Sequence, residues 1–170
     1  MHTPDLNRVP SYYHKYISLV PQQDIETIMD NHGASLIDTI KNLSDDKWNF
    51  KYAPDKWTIK ELIQHIIDAE RIFCYRALRF ARKDKTPLPG FEENAYASAS
   101  DANRRKSLDL KEELSVVQRS AALLFRSFNE EQLDAAGEAN GQSIYVGGMA
   151  YIVVGHSLHH LRILKERYLV

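Results

Sequence analysis

Three things are scarce in this sequence. It has one cysteine in 170 residues, Cys74, so no disulfide can form within the chain, which fits a reducing compartment. No stretch approaches the roughly 18 consecutive apolar residues of a membrane-spanning helix. The opening, MHTPDLNRVPSYYHKYI, has no apolar centre of the secretory-signal kind. These absences predict a cytoplasmic protein with no membrane role. An excess of charge is missing too: 22 Lys and Arg face 23 Asp and Glu, a formal net charge of -1. Phosphate backbones call for a dominant basic field, so nucleic acid is not expected as a partner. The local clusters at residues 82–85 and 104–106 read as solvated loop and helix-end charges.

What is present is a globular composition, 44% hydrophobic, in a chain long enough to bury about two-thirds of its unfolded surface in one domain. The expected organisation is an N-terminal arm, residues 1–20, and a helical domain, residues 21–170. Four stretches carry apolar residues at helical spacing. The first, residues 21–43, holds Ile25, Ile28, Met29, Leu36, Ile37, Ile40 and Leu43; Gly33 weakens its middle by about 1 kcal/mol without erasing the pattern. Residues 45–56 read as a loop. Thr58 and Glu61 then form a capping box that opens a second helix over residues 59–81.

A connection over residues 83–103, with Pro87, Pro89 and Gly90, is too long for a tight turn and suits a crossover between parallel neighbours. The third helix covers residues 108–128. Residues 134–148, with four glycines, read as a loop in which 142–146 could be a short extended entry to a fourth helix running from Met149 to the end. No clear alternating pattern remains, so the fold class expected is all-α, a four-helix bundle with a long connection between helices two and three.

The fourth helix carries the chemistry. Three of the seven histidines fall within five residues, His156, His159 and His160. On a helix, His156 and His160 stand about 40° apart, one turn above the other, on the side of Met149, Ile152, Val153 and Ile163. His65 of the second helix shares a side with Leu62, Ala69 and Ile72, so it also faces inward. Burying three imidazoles without partners would cost several kcal/mol, and coordination of a cation removes that cost. Neutral imidazole suits zinc or nickel, with manganese a further candidate, and three such ligands leave a position open for water.

His159 sits at the edge of the inward face and reads as a supporting or interface residue. His2, His14 and His32 show no spacing of interest. Cys74 lies about 180° from His65 and is not expected to act as a nucleophile. Val154, Leu158 and Leu161 cover the opposite side of the fourth helix; a helix apolar nearly all round is buried on both sides. Either a second copy of the chain or the N-terminal arm would cover that face.

WTIKELIQH at residues 57–65, VGGMAYIVVGHSLHH at 146–160 and LPGFEENAY at 88–96 resemble the DinB-like, or YfiT-like, four-helix metal-binding superfamily, over roughly residues 25–170. The resemblance implies an up-down-down-up bundle with a divalent metal ion held by His65, His156 and His160. It also implies a small-molecule substrate, with reactions that include metal-dependent hydrolysis and thiol S-transfer onto or from a low-molecular-weight thiol, and a homodimer in many members. The catalytic residues are unknown at this level. Glu92 or Glu93 could orient a nucleophile, although a solvated loop carboxylate is the simpler reading of both. A bundle in which the ion only ties helices together is the alternative. It would show as a site closed by Glu92, Glu93 or His159, because structural zinc sites are normally four-ligand.

Overall fold

The computed structural model describes residues 4–170, which leaves His2 outside the described residues. The chain opens with two short 3-10 turns, Leu6–Arg8 and Ser11–Tyr13, that run into α1, His14–Ile17. Four layers of a bundle follow: α2 (Ile25–Asp30) with α3 (Ala34–Ile40), then α5 (Ile59–Ala81), α7 (Ser107–Arg126) and α9 (Val146–Ile163). A π-helical turn, Leu164–Tyr168, extends α9. Shorter pieces lie between them: α4 (Asp45–Trp48), α6 (Glu93–Ala99) and α8 (Glu130–Asp134).

Contacts between elements fix the order round the bundle. α5 packs along α7 on one side and α9 on the other, while α2 and α3 close the ring against α7 and α9. Directions follow from bonds at the helix ends. The hydroxyl of Thr58, at the start of α5, donates to Asn103 just before α7 (2.7 Å), and Asn103 Nδ2 donates to Glu61 (2.9 Å), so α5 and α7 begin at the same end. The Tyr168 hydroxyl donates to the Trp57 carbonyl (2.9 Å), which brings the end of the α9 segment to the start of α5. Arg126, the last residue of α7, pairs with Asp30 of α2 (3.1 Å), and Lys111 near its start reaches Lys41 O beyond α3 (3.4 Å). The bundle is therefore up-down-down-up, as expected.

The capping box forms: Thr58 Oγ1 accepts from Glu61 N (3.1 Å) and Glu61 Oε2 accepts from Thr58 N (2.7 Å). It holds the phase of α5 and, through Asn103, the far end of the crossover. The long connection is not all loop, since α6 and a 3-10 turn at Ala102–Arg104 lie within it. Residues 45–56 likewise contain α4, which buries Trp48 completely.

The first bundle helix is not continuous over residues 21–43; it breaks at residues 31–33. Gly33 has φ +80°, a conformation that costs glycine little, and a Cβ there would stand 1.9 Å from Gln118 Oε1. The break turns His32 inward, where its Nε2 meets Glu70 Oε1 of α5 at 3.0 Å. Both side chains are buried, at 1% and 2% exposed, so a polar contact bridges the diagonal of the core.

Two strands are present where a loop was expected. β1 (Ala136–Ala139) and β2 (Gln142–Tyr145) pair antiparallel around Asn140-Gly141, both with positive φ, the turn that asparagine–glycine favours. β2 is the extended entry to the last helix that the sequence allowed, and α9 begins at Val146, three residues before the expected Met149. Leu88 joins the hairpin by donating to Glu138 O (3.0 Å) and accepting from Asn140 N (2.9 Å), which fastens the long connection to it.

α9 is buried on nearly every side, and the chain itself does the covering. α3 packs on its Val154, Leu158 and Leu161 side, and α1 crosses it at Gly155, where a Cβ would lie 2.2 Å from the Tyr16 carbonyl oxygen. The apolar second face that raised the question of a partner copy is thus met within one molecule. Among the described residues no helix is long and apolar enough to cross a membrane.

Candidate metal centre

His65 comes from the second turn of α5, whose phase the capping box sets. His156 and His160 come from one face of α9, a turn apart, and α5 and α9 run side by side. The three rings meet. His65 Nε2 and His160 Nε2 each lie 3.1 Å from His156 Nε2, and one ligand atom of each of the three lies within 4.8 Å of the others. All three residues are buried, at 4%, 6% and 7% exposed.

Hydrogen bonding alone cannot account for this arrangement. A neutral imidazole nitrogen is either a donor or an acceptor, along one direction in the ring plane, so His156 Nε2 can satisfy only one of its two neighbours. His160 Nδ1 is buried with no hydrogen-bond partner as well. A cation among the three Nε2 atoms would take one lone pair from each ring and leave the ring proton on Nδ1. Tetrahedral zinc with Zn–N near 2.05 Å sets N···N at about 3.3 Å, close to the two short separations.

Burial also keeps the rings in the ligand form. It lowers the pKa of His65 to about 4, aided by the charge of His159, and holds His156 and His160 well below the ordinary imidazole value, with the neighbouring histidines adding to the effect. Aromatic rings fix the orientations: Trp57 lies 4.8 Å from the His65 ring, and Phe73 and Tyr16 stand edge-on to His156 at 5.8 and 5.5 Å.

The other candidates fall outside the cluster. His159 is half-buried and rests against Tyr16 and His160, with ring centroids 5.1 Å away in each case. Glu92 caps α6, its carboxylate accepting from Asn94 N (3.2 Å) and Ala95 N (2.7 Å), which hold it below the usual carboxylate range. Glu93 is exposed. Neither glutamate joins the three histidines, so among the described residues no fourth protein ligand closes the site. Cys74 is partly buried and its thiol is pushed up by burial and by Glu70, which leaves it a poor nucleophile. His14 is tied to the arm, its Nε2 lying 3.1 Å from Leu6 O and 3.0 Å from Val9 O.

A cavity of about 350 Å³ opens over His65 and His156. Its walls include residues that the pattern of the sequence did not single out: Tyr12, Tyr13 and Tyr16 from the arm, Arg76 from α5, and Asn140 and Gln142 from the hairpin. Arg76 had a legible signal, since it lies eleven residues from His65, about 20° round the helix, on a face otherwise apolar. The tyrosines had none, because nothing local says where an arm will pack.

A four-helix bundle with an inward three-histidine cluster beneath an open cavity defines a class of helical proteins in which side chains of two neighbouring helices converge on a site able to take a metal ion. The sequence profile of the DinB superfamily matches residues 28–164, and the chain belongs to that superfamily. A protein of Oceanobacillus iheyensis named "Putative metal-dependent hydrolase OB0413" is 29% identical over 146 residues, covering 84% of this chain and 80% of that protein. A Bacillus pumilus protein with the name "Putative metal-dependent hydrolase" is 26% identical over 127 residues, covering 73% of this chain and 71% of its own. Among solved structures, Bacillus subtilis YfiT, described as a probable metal-dependent hydrolase with an unusual four-helix-bundle topology, superposes with a TM-score of 0.70 at 16% identity over 97% of this chain and 90% of that one. A DinB-like protein of the same organism gives a TM-score of 0.60 at 17% identity, covering 85% of this chain and 90% of that one. At such identities the likeness of the structures is one of fold.

Proposed function

We propose that the protein is a metal-dependent hydrolase of a small molecule, with a divalent ion, zinc or nickel in first place, held by His65, His156 and His160. The observation that carries this reading is the convergence of three buried Nε2 atoms under a cavity, with no fourth ligand among the described residues to close them. The names of the relatives from Oceanobacillus iheyensis and Bacillus pumilus support the same reaction class. A bound ion would supply Lewis-acid polarisation and lower the pKa of water that reaches it. The chain's own part is to present three neutral imidazoles in fixed directions, to pack Trp57, Phe73 and Tyr16 against them, and to admit the substrate through the cavity over His65 and His156.

An ion that merely tied α5 to α9 would need no adjoining space. The cavity over His65 and His156 therefore favours catalysis over the purely structural alternative. The test uses protein purified without an affinity tag. Its metal content is measured, and hydrolysis of a panel of small esters and amides is compared before and after the metal is stripped and restored. One equivalent of a divalent metal, with hydrolysis that vanishes and returns with it, is the expected result. Full metal occupancy with no hydrolysis, but with metal-dependent transfer of a thiol to an electrophile in a parallel assay, would move the reaction to S-transfer. Occupancy with neither activity would leave the structural role.

A further inference from the structure

Arg76 is the one basic side chain other than histidine that is buried among the described residues, at 4% exposed. A guanidinium stays charged in a protein and carries five N–H donors, so an interior arginine ordinarily meets a carboxylate. Arg76 does not. No carboxylate of the described residues pairs with it, whereas Arg71 and Arg105 share Glu113 and Arg79 pairs with Asp84. Its Nη2 donates to the carbonyl oxygen of Pro89, at 2.8 Å, and the guanidinium also stands beside the phenol of Tyr13. Among the described residues this interior positive charge has no counter-charge.

The place of that charge gives it meaning. His65, Ala69, Phe73 and Arg76 form one row along α5, and all four line the same cavity. The row puts the imidazole cluster at one end and the guanidinium at the other, about 16 Å apart along the helix axis before the side chains reach towards each other. The acids nearest the opening do not fill the role of partner: Glu92 is engaged as the cap of α6 and Glu93 is exposed.

We infer that Arg76 anchors a carboxylate of the substrate at the end of the cavity away from the histidines, so that the substrate is a small carboxylic acid whose reacting group lies several bonds from its anionic end. This inference rests on the proposed metal-dependent reaction for what happens at the other end. The guanidinium fork suits a planar two-oxygen anion, and the row along α5 sets the spacer. Pro89 fixes the fork in place, and Tyr13 offers a hydroxyl beside it.

The test measures binding to the zinc-loaded protein by calorimetry, using 6-mercaptohexanoate against 6-mercaptohexanol, whose thiols both seek the metal and whose far ends differ in charge. Mercaptoacetate against 2-mercaptoethanol serves as the pair too short to span the cavity. Wild type should prefer the long carboxylate over the long alcohol by at least about tenfold, with no such preference in the short pair. Arg76→Gln should remove the preference while zinc content stays unchanged, and Arg76→Lys should keep part of it. Equal binding of the long pair by wild type, or the same preference in both pairs, overturns the inference, and so does a preference that survives in Arg76→Gln. Should Arg76→Gln not fold, the wild-type comparison and Arg76→Lys decide alone. Zinc content is read separately in every sample: if none is retained, the metal reading fails, and hexanoate against hexanol on the metal-free protein decides the role of Arg76 by the same criterion.

Discussion

At the scale of the residue, the cluster is made of groups that each lose something by being buried. The three imidazoles are dehydrated, crowded to 3.1 Å and held neutral, and His156 cannot satisfy both neighbours by hydrogen bonding. His156→Ala and His160→Ala should each lower zinc affinity by more than about 100-fold, because even changes to groups that only support a ligand cost 10- to 100-fold. His159→Ala, whose ring touches Tyr16 and His160 from outside the cluster, should cost less than either; titration against a chelator of known affinity reads all three. Equal losses would place His159 among the ligands. The three histidines were legible because a helix turns every residue through a known angle and the capping box fixed where α5 starts. Arg76 obeys the same angle. It escaped because a charge on a helix is ordinarily assigned to solvent.

At the scale of the element, close approach decides more than propensity does. α1 crosses α9 at Gly155, where a side chain would meet backbone, the Tyr16 carbonyl oxygen at 2.2 Å and its carbon at 2.5 Å, instead of a side chain able to swing away. Gly155→Ala should therefore destabilise the fold by about 1–3 kcal/mol, as overpacking does, despite alanine's better helix propensity. Urea unfolding tests this, and an unchanged or higher midpoint would show that the arm shifts freely. The breaks in the sequence reading have the same origin. The apolar spacing of residues 21–43 survives the interruption at Gly33, so periodicity alone could not reveal it; the break rests on the left-handed conformation of Gly33, φ +80°, which leaves no trace in the apolar pattern. The hairpin was hidden differently, since Asn140-Gly141 is a strong turn signal but the strands it joins are only four residues each and half-polar.

At the scale of the whole molecule, an ion held by two histidines of α9 and one of α5 would cross-link helices through residues 91 positions apart in sequence. Binding to the folded state alone should raise its stability by about 2.7 kcal/mol at a free zinc concentration 100 times the dissociation constant. For a chain of this size that corresponds to a rise in Tm of about 5–10 °C. Thermal melts with zinc and with EDTA check this, and His65→Ala should abolish the difference. The topology was legible at this scale too, because a connection of more than twenty residues after the second helix leaves room for a parallel neighbour. The positions of arm, crossover and hairpin over the cavity were not, since they depend on bonds such as Leu88 to the hairpin and Arg76 to Pro89 that join distant parts of the chain.

That stitching separates two kinds of inheritance. The histidines ride on deeply packed helices, whereas the cavity's rim is borrowed from the arm, the crossover and the hairpin, pieces that lie outside the bundle's own helices. A lineage could therefore exchange one guest for another by redrawing the rim while the floor stays as it is.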